Sequence, residues 1–272
     1  MTDFHIIAGA GGSVAHPQVR KISIADLVDA LRRGMDDFWA KPSHLLFLGL
    51  IYPIVGLVLA RWSSGSGALQ MIYPLMSGFA LLGPFAAVGL YEISRRREAG
   101  LEASWQHALE VRHSPAMPAI VALGAMLAVL FLCWLGVAHF LYAREFGAAG
   151  PATIGAFLHE VTTTERGQTL ILLGNAAGFV FAAVVLATTV IAFPLLLDRD
   201  VGALSAVETS ARAVIANPLP MAAWGLIVAG LLVVGSLPVF AGLAIVMPVL
   251  GHATWHLYRK VVVPADRRPA DV

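Results

Sequence analysis

The chain is 272 residues long, 58% hydrophobic and 13% charged, with a mean hydropathy of +0.77, whereas a soluble domain carries about 25% charged residues. Its 18 basic and 17 acidic side chains leave a formal charge of +1, which excludes a polycationic nucleic-acid binder. The apolar residues gather into stretches long enough to cross a bilayer, so the expected fold is all-α, a polytopic membrane bundle of six spans.

In chain order, residues 1–21 are expected to form a cytoplasmic leader, with the Gly, Ala and Ser of residues 9–19 mobile. MTDFHIIAGAGGSVAHPQVR has no basic segment running into a long apolar one and does not read as a signal peptide. Next, ISIADLVDALRRGMDDFWAKP places Ile24, Leu27, Val28, Leu31, Met35 and Phe38 on one helical face, with Asp26, Asp29, Arg33 and Asp37 largely elsewhere. Such a helix can lie along the membrane surface until Pro42 redirects the chain. Apolar runs at about 45–60 and 68–91, separated by the polar RWSSGSG, read as a first transmembrane hairpin.

LEASWQHALEVRHSP resembles a second surface helix and ends at Pro115. Runs at about 117–142 and 168–197 make a second hairpin around a 25-residue connection, Ala143 through Gly167, with room for a short helix of its own. The single cysteine, Cys133, lies inside the third run, where an apolar packing role is expected and an internal disulfide is impossible. VGALSAVETSARAVIANP precedes the last apolar stretch, the 40 residues from Leu219 to Tyr258, in which histidine is the sole titratable charge. One helix of that length would reach about 60 Å, twice the hydrocarbon thickness. It must turn back, and Gly235 and Pro238 are the best turn residues, although one crossing plus a re-entrant helix is an alternative. Residues 22–261 then form one membrane domain and 262–272 a cytoplasmic tail.

With six spans, Lys and Arg divide 15 to 3 in favour of the side holding both termini, which the positive-inside rule makes cytoplasmic. The three polar segments, each followed by two spans, suggest a threefold repeat. Gly78, Pro84, Tyr91 and Arg95 are separated by 6, 7 and 4 residues, as are Gly242, Pro248, Trp255 and Arg259. Both prolines are expected to kink their helices; Pro194 is a weaker counterpart. Packing explains such kinks, and so would a broken-helix binding site. No Asp, Glu, Lys or Arg falls at mid-membrane in this map, which disfavours a proton-coupled pump.

His252 and His256 stand one turn apart and are the candidates for a metal or haem contact, but two ligands are too few and HExxH is absent. The competing reading is an interfacial cluster in which Trp255 and Tyr258 anchor the helix and Arg259 meets phosphate. Glu92 can pair with Arg95 or Arg96 at the exit of the second span, where Ser94 and Arg97 also lie. Asp198 and Arg199 mark another exit, too sparse for a two-carboxylate enzyme. His139 and Tyr142 belong to the opposite side, and His44 and Asn217 flank the surface helices. Glu92, Arg95, Arg96, Asp198, Arg199, Asn217, Trp255 and Arg259 are thus the candidates for contact with lipid or a partner.

GLYEISRR, PLLLDRD, the ANP before the fifth span and GHATWHLYR together resemble a bacterial integral-membrane family, domain of unknown function 2189, over roughly residues 22–261. The resemblance implies a helical inner-membrane protein and supplies no substrate or catalytic set. The expected function is therefore noncatalytic, the binding or scaffolding of membrane lipids or of a membrane-protein partner. A small-molecule or lipid transporter is the first alternative, and a respiratory accessory or haem- or metal-handling protein the second. No cofactor is called for, and no nucleic-acid partner.

Overall fold

The computed structural model describes residues 17–40, 56, 72–147, 154–237 and 242–264. The 45–60 run apart from Gly56, the RWSSGSG turn, Pro42, His44, Pro238 and most of the leader and tail lie outside the described residues. The described chain is all-helical apart from one isolated antiparallel bridge between Val19 and Val262.

The helices are α1 (Ile24–Ala40), α2 (Ile72–Leu81), α3 (Gly83–Ala86), α4 (Val88–Glu98), α5 (Trp105–Glu110) and α6 (Met117–Phe146). They continue with α7 (Ile154–Thr163), α8 (Glu165–Thr189), α9 (Ala192–Asp198), α10 (Ala203–Ala216), α11 (Pro218–Ser236) and α12 (Leu243–Val261). Helix α7 occupies the long connection in which a short helix was anticipated. Among the described residues three stretches are long and apolar enough to cross a membrane: Met117–Phe146, Glu165–Asp198 and Pro218–Ser236.

The six-span count is thus reached only in part, for two physical reasons beyond the residues left aside. The second run is divided into α2, α3 and α4, with breaks at Leu82 and Ala87 on either side of Pro84. A proline lacks the amide hydrogen and its ring crowds the carbonyl four residues earlier, which accounts for an interruption there. Helix α12 stays continuous through Pro248, yet its second half is polar and largely buried in protein rather than uniformly apolar. Pro194 marks a break too. The helix stops at Thr189 and resumes at Ala192, and the Ile191 amide donates to Ser210 Oγ of α10 at 3.2 Å.

The chain divides into two compact units, residues 1–52, 83–124 and 186–272 in one and 53–82 and 125–185 in the other. The first is built around α12, which packs on α1, α4, α9 and α11. Trp224, Trp255, Tyr258, Phe193, Leu27 and Ile191 are among its fully buried side chains. Helix α1 starts with a reciprocal cap: the Asp26 carboxylate accepts from the Ser23 amide at 2.8 Å, and the Ser23 hydroxyl faces the Asp26 amide at 3.4 Å. The amphipathic face expected for α1 is in fact two faces. Leu27 and Phe38 are buried with Ala30, Gly34 and Asp37, whereas Ile24, Val28, Met35 and Trp39 are exposed.

In the second unit Trp134 is the centre of packing. Its indole donates to the Pro74 carbonyl at 2.8 Å, it meets Phe181 edge-on at 5.8 Å, and Gly78 and Gly178 leave room for it. Tyr142 is buried and stacks on Phe146 at 5.3 Å, with Phe157 beside both. His139 is exposed, and so is Cys133. Cys133 therefore lies on the outer side of its helix rather than in the packed interior expected of it; in a span, that side is apolar surroundings enough.

Candidate functional site

The site begins with the spacing of α1. Leu27, Ala30, Gly34 and Asp37 recur at intervals of three and four, so they form one stripe, and all four are buried. The stripe lies on α12 at a point where side-chain bulk is not tolerated. A Cβ on Gly34 would stand 2.6 Å from the backbone nitrogen of Ala253. The close approach carries Asp37, which the helical wheel assigned to the polar side, into the interior at 6% exposure. That assignment is corrected here: the stripe, not the hydropathy of the residue, decides its surroundings.

Around Asp37 the three helices α1, α4 and α12 each supply polar groups. Ser94 Oγ donates to Asp37 Oδ2 at 2.5 Å and also lies 2.8 Å from His252 Nδ1. His256 Nε2 is 2.9 Å from the same carboxylate oxygen, and an Arg97 guanidinium nitrogen donates to Oδ1. An ionised carboxylate only accepts, so the single hydroxyl proton of Ser94 goes to Asp37. It follows that His252 carries its proton on Nδ1 and donates to Ser94, and that His256 donates from Nε2. Burial pushes the Asp37 carboxyl up, but the hydrogen bonds from His256 and Ser94 and the neighbouring imidazoles outweigh it and hold the carboxyl below its ordinary value.

Chemically this is a closed circuit. Ser94 is fully buried and its proton is already committed, so the trio of Ser, His and Asp is not disposed as a nucleophile with its base. His252 and His256 do share a face, as their spacing required, but each is turned to a hydrogen-bond partner. Among the described residues no group of three or more His, Cys, Asp or Glu is arranged to hold a metal ion.

Three further clusters flank it. Glu92, itself buried, accepts two bonds from Arg95 at 2.7 and 2.8 Å and one from Arg96 at 2.7 Å, and Arg96 reaches on to Glu110 at 2.6 Å. Glu98 accepts from the Trp255 indole and from Arg259, each at 2.9 Å. Asp198 accepts from the Tyr258 hydroxyl at 2.5 Å, with Arg199 at 3.5 Å and Arg259 at 3.6 Å. Lys260 bridges Asp26 and Asp29 of α1. Hydrogen bonds from Ser23 and the nearby Lys260 lower the Asp26 carboxyl, and Lys260 with Arg33 lowers that of Asp29.

Asn217 binds the chain entering α1, not the last helix. Its side chain accepts from the Ile22 amide at 2.8 Å and donates to the carbonyls of Arg20 at 3.0 Å and Ala213 at 3.1 Å. Beside it the Arg20 amide donates to the Val261 carbonyl at 2.7 Å and the Val263 amide to Gln18 at 3.0 Å. The boundaries drawn at residues 21 and 262 therefore fall inside the folded body. Near the Glu92 cluster an open cleft of about 770 Å³ is bordered by residues 105–116, the basic end of α4 and residues 196–200.

Residues 72–198 match the model of a family described as "Predicted integral membrane protein (DUF2189)". That part of the chain is similar to this family. The DUF2189 match includes GLYEISRR and the first five residues of PLLLDRD but stops short of Arg199, ANP and GHATWHLYR, so it is narrower than the 22–261 expected. Of the buried circuit it takes in Ser94 and Arg97, whereas Asp37, His252 and His256 lie outside it. No curated protein and no solved structure matches the chain. It is a multi-span membrane protein, and the family assigns it no activity.

Among the functional candidates, sequence reasoning missed Asp37 as the hub and Glu98 as the partner of Trp255 and Arg259. For Asp37 a signal existed, the 27-30-34-37 stripe. For Glu98 none did, since its partners are 157 and 161 residues away.

Proposed function

We infer that the protein is a noncatalytic, six-span protein of the bacterial inner membrane that binds lipid or a membrane-protein partner through short helices lying at the cytoplasmic surface. The observation that carries this reading is the second apolar face of α1. Ile24, Val28, Met35 and Trp39 are 47%, 61%, 37% and 66% exposed although the other side of the same helix is fixed to α12. Large apolar side chains in a continuous stripe, with Arg32, Arg33 and Asp36 beside them, suit the boundary between headgroups and acyl chains. Trp105 and Leu109 on α5, and Leu204 and Ile215 on α10, are exposed in the same manner.

The six-span topology is supported by the pairing of residues 18–20 with 261–263, which an even number of crossings allows and five does not. The basic residues argue for that side being cytoplasmic. The closed arrangement of Ser94, His252, His256 and Asp37 supports a scaffolding rather than a catalytic role.

The test replaces Cys133 by Ala and places single cysteines at Val28 and at Arg33, which is exposed on another face of the helix, each carrying a polarity-sensitive fluorophore, in lipid vesicles. The expected result is a blue-shifted label at position 28, quenched by brominated lipid, and a water-like label at 33. Equal, water-like emission at both would overturn the reading.

A further inference from the structure

We propose that the cleft beside Glu92 is a phospholipid site, holding a headgroup phosphate at Arg95 and Arg112 and an acyl chain along Trp105, Leu109 and Leu197. Its volume of about 770 Å³ is that of a ligand site rather than of a packing defect. The proposal rests on the lipid-facing reading above, shares Trp105 and Leu109 with it, and adds Arg95, Arg112 and Leu197.

The charge arrangement favours an anion. Arg96 is fully occupied by Glu92, Glu110 and the Glu102 carbonyl. Arg95 gives Nε and Nη2 to Glu92, which leaves Nη1 available, and its side chain is 37% exposed. Arg112 is exposed and has no side-chain partner among the described residues. Four carboxylates lie on the walls and all are engaged: Glu92 and Glu110 by those arginines, Asp198 by Tyr258, Arg199 and Arg259, and Asp200 by a contact of its own. A phosphate can therefore gain charge-assisted bonds without displacing an existing pair.

The position favours a lipid over a free phosphate ester. One wall runs into Pro115 and Ala116, immediately before the apolar stretch Met117–Phe146, and the other includes Leu197, at the end of the stretch Glu165–Asp198. Polar and apolar walls thus meet where two candidate spans end, the depth at which a headgroup joins its chains. Trp105 and Leu109, each 46% exposed, extend the apolar wall outward.

Native mass spectrometry of the full chain in neutral detergent, titrated with short-chain phosphatidylglycerol, tests this. Competitors are glycerol phosphate, which has the anion alone, and a diacylglycerol of the same chain length, which has the chains alone. We expect saturable binding that Arg112→Gln weakens about tenfold, that Arg144→Gln, whose side chain pairs with Glu145 away from the cleft, leaves unchanged, and that neither competitor displaces at equal concentration. Unaltered binding by Arg112→Gln, or equal loss with Arg144→Gln, would overturn the site. Displacement by glycerol phosphate would overturn the lipid assignment in favour of a soluble phosphate ester. Failure here with the position-28 label still in an apolar environment sinks the cleft alone, whereas a water-exposed label sinks the reading beneath it.

Discussion

Asp37 and Asn217 show how much of this protein hangs on single polar side chains. Asn217 uses both ends of its amide to hold the backbone of residues 20–22 against the end of α10. Asn217→Ala leaves the Ile22 amide without that partner, so a loss of about 1–3 kcal/mol is expected, read as a lower midpoint of thermal unfolding in detergent. Asp37→Asn leaves Arg97 and the two imidazoles facing a neutral amide, and breaking so buried a set costs about 3 kcal/mol. The pH dependence has a definite sign. The folded carboxyl of Asp37 is held below its ordinary value, so its contribution is complete above that value and fades as the pH falls through the lowered one. Unfolding midpoints measured from neutral to acid pH should therefore converge for wild type and Asp37→Asn at the acid end. A constant gap would contradict the assignment of the proton-accepting role to Asp37.

At the scale of the element, the contact between α1 and α12 depends on a missing side chain. Gly34→Val places carbon within 2.6 Å of the Ala253 backbone, which a helix cannot yield without moving. A loss of about 1–3 kcal/mol or more is expected, together with loss of protection from hydrogen exchange along α1 but not along the helices of the other unit. The existence of most helices was legible in the sequence, because long apolar runs and strong periodicity are local properties. Helix α6 begins at Met117 and α8 with α9 covers 165–198, close to the runs read at 117–142 and 168–197. The pairing of Glu92 with Arg95 and Arg96 was legible for the same reason, being set by intervals of three and four. What could not be read was the partner of each face. Ile24, Val28 and Met35 read together with Leu27 and Phe38 as one apolar side, because a wheel does not record where α12 will lie. Trp39, exposed at 66%, completes the stripe that the protein leaves outward.

For the whole molecule, the antiparallel bridge of Val19 with Val262 fixes the two ends of the described chain beside one another. Membrane-impermeant thiol reagents should accordingly reach single cysteines introduced at Gln18 and at Pro264 from one and the same side of sealed vesicles, with Cys133 replaced. Labelling from opposite sides would require an odd number of crossings. The family match and the apolar stretches agree on a membrane protein, and many of the charged groups described pair with one another. The three candidate spans were accessible from composition. The site was not, since Asp37 and His256 are 219 residues apart and only the packed helices bring them together.

That separation has a consequence for how the molecule comes to be made. Helix α1 leaves the ribosome long before its binding surface on α12, so until residues 243–261 are made the helix has no seat. On the surface role proposed above, its exposed stripe would let it wait adsorbed on the bilayer while the carboxylate of Asp37 stays hydrated. Docking is then the closing event of assembly, and a nascent chain halted before residue 243 should leave α1 as sensitive to protease as an unattached peptide.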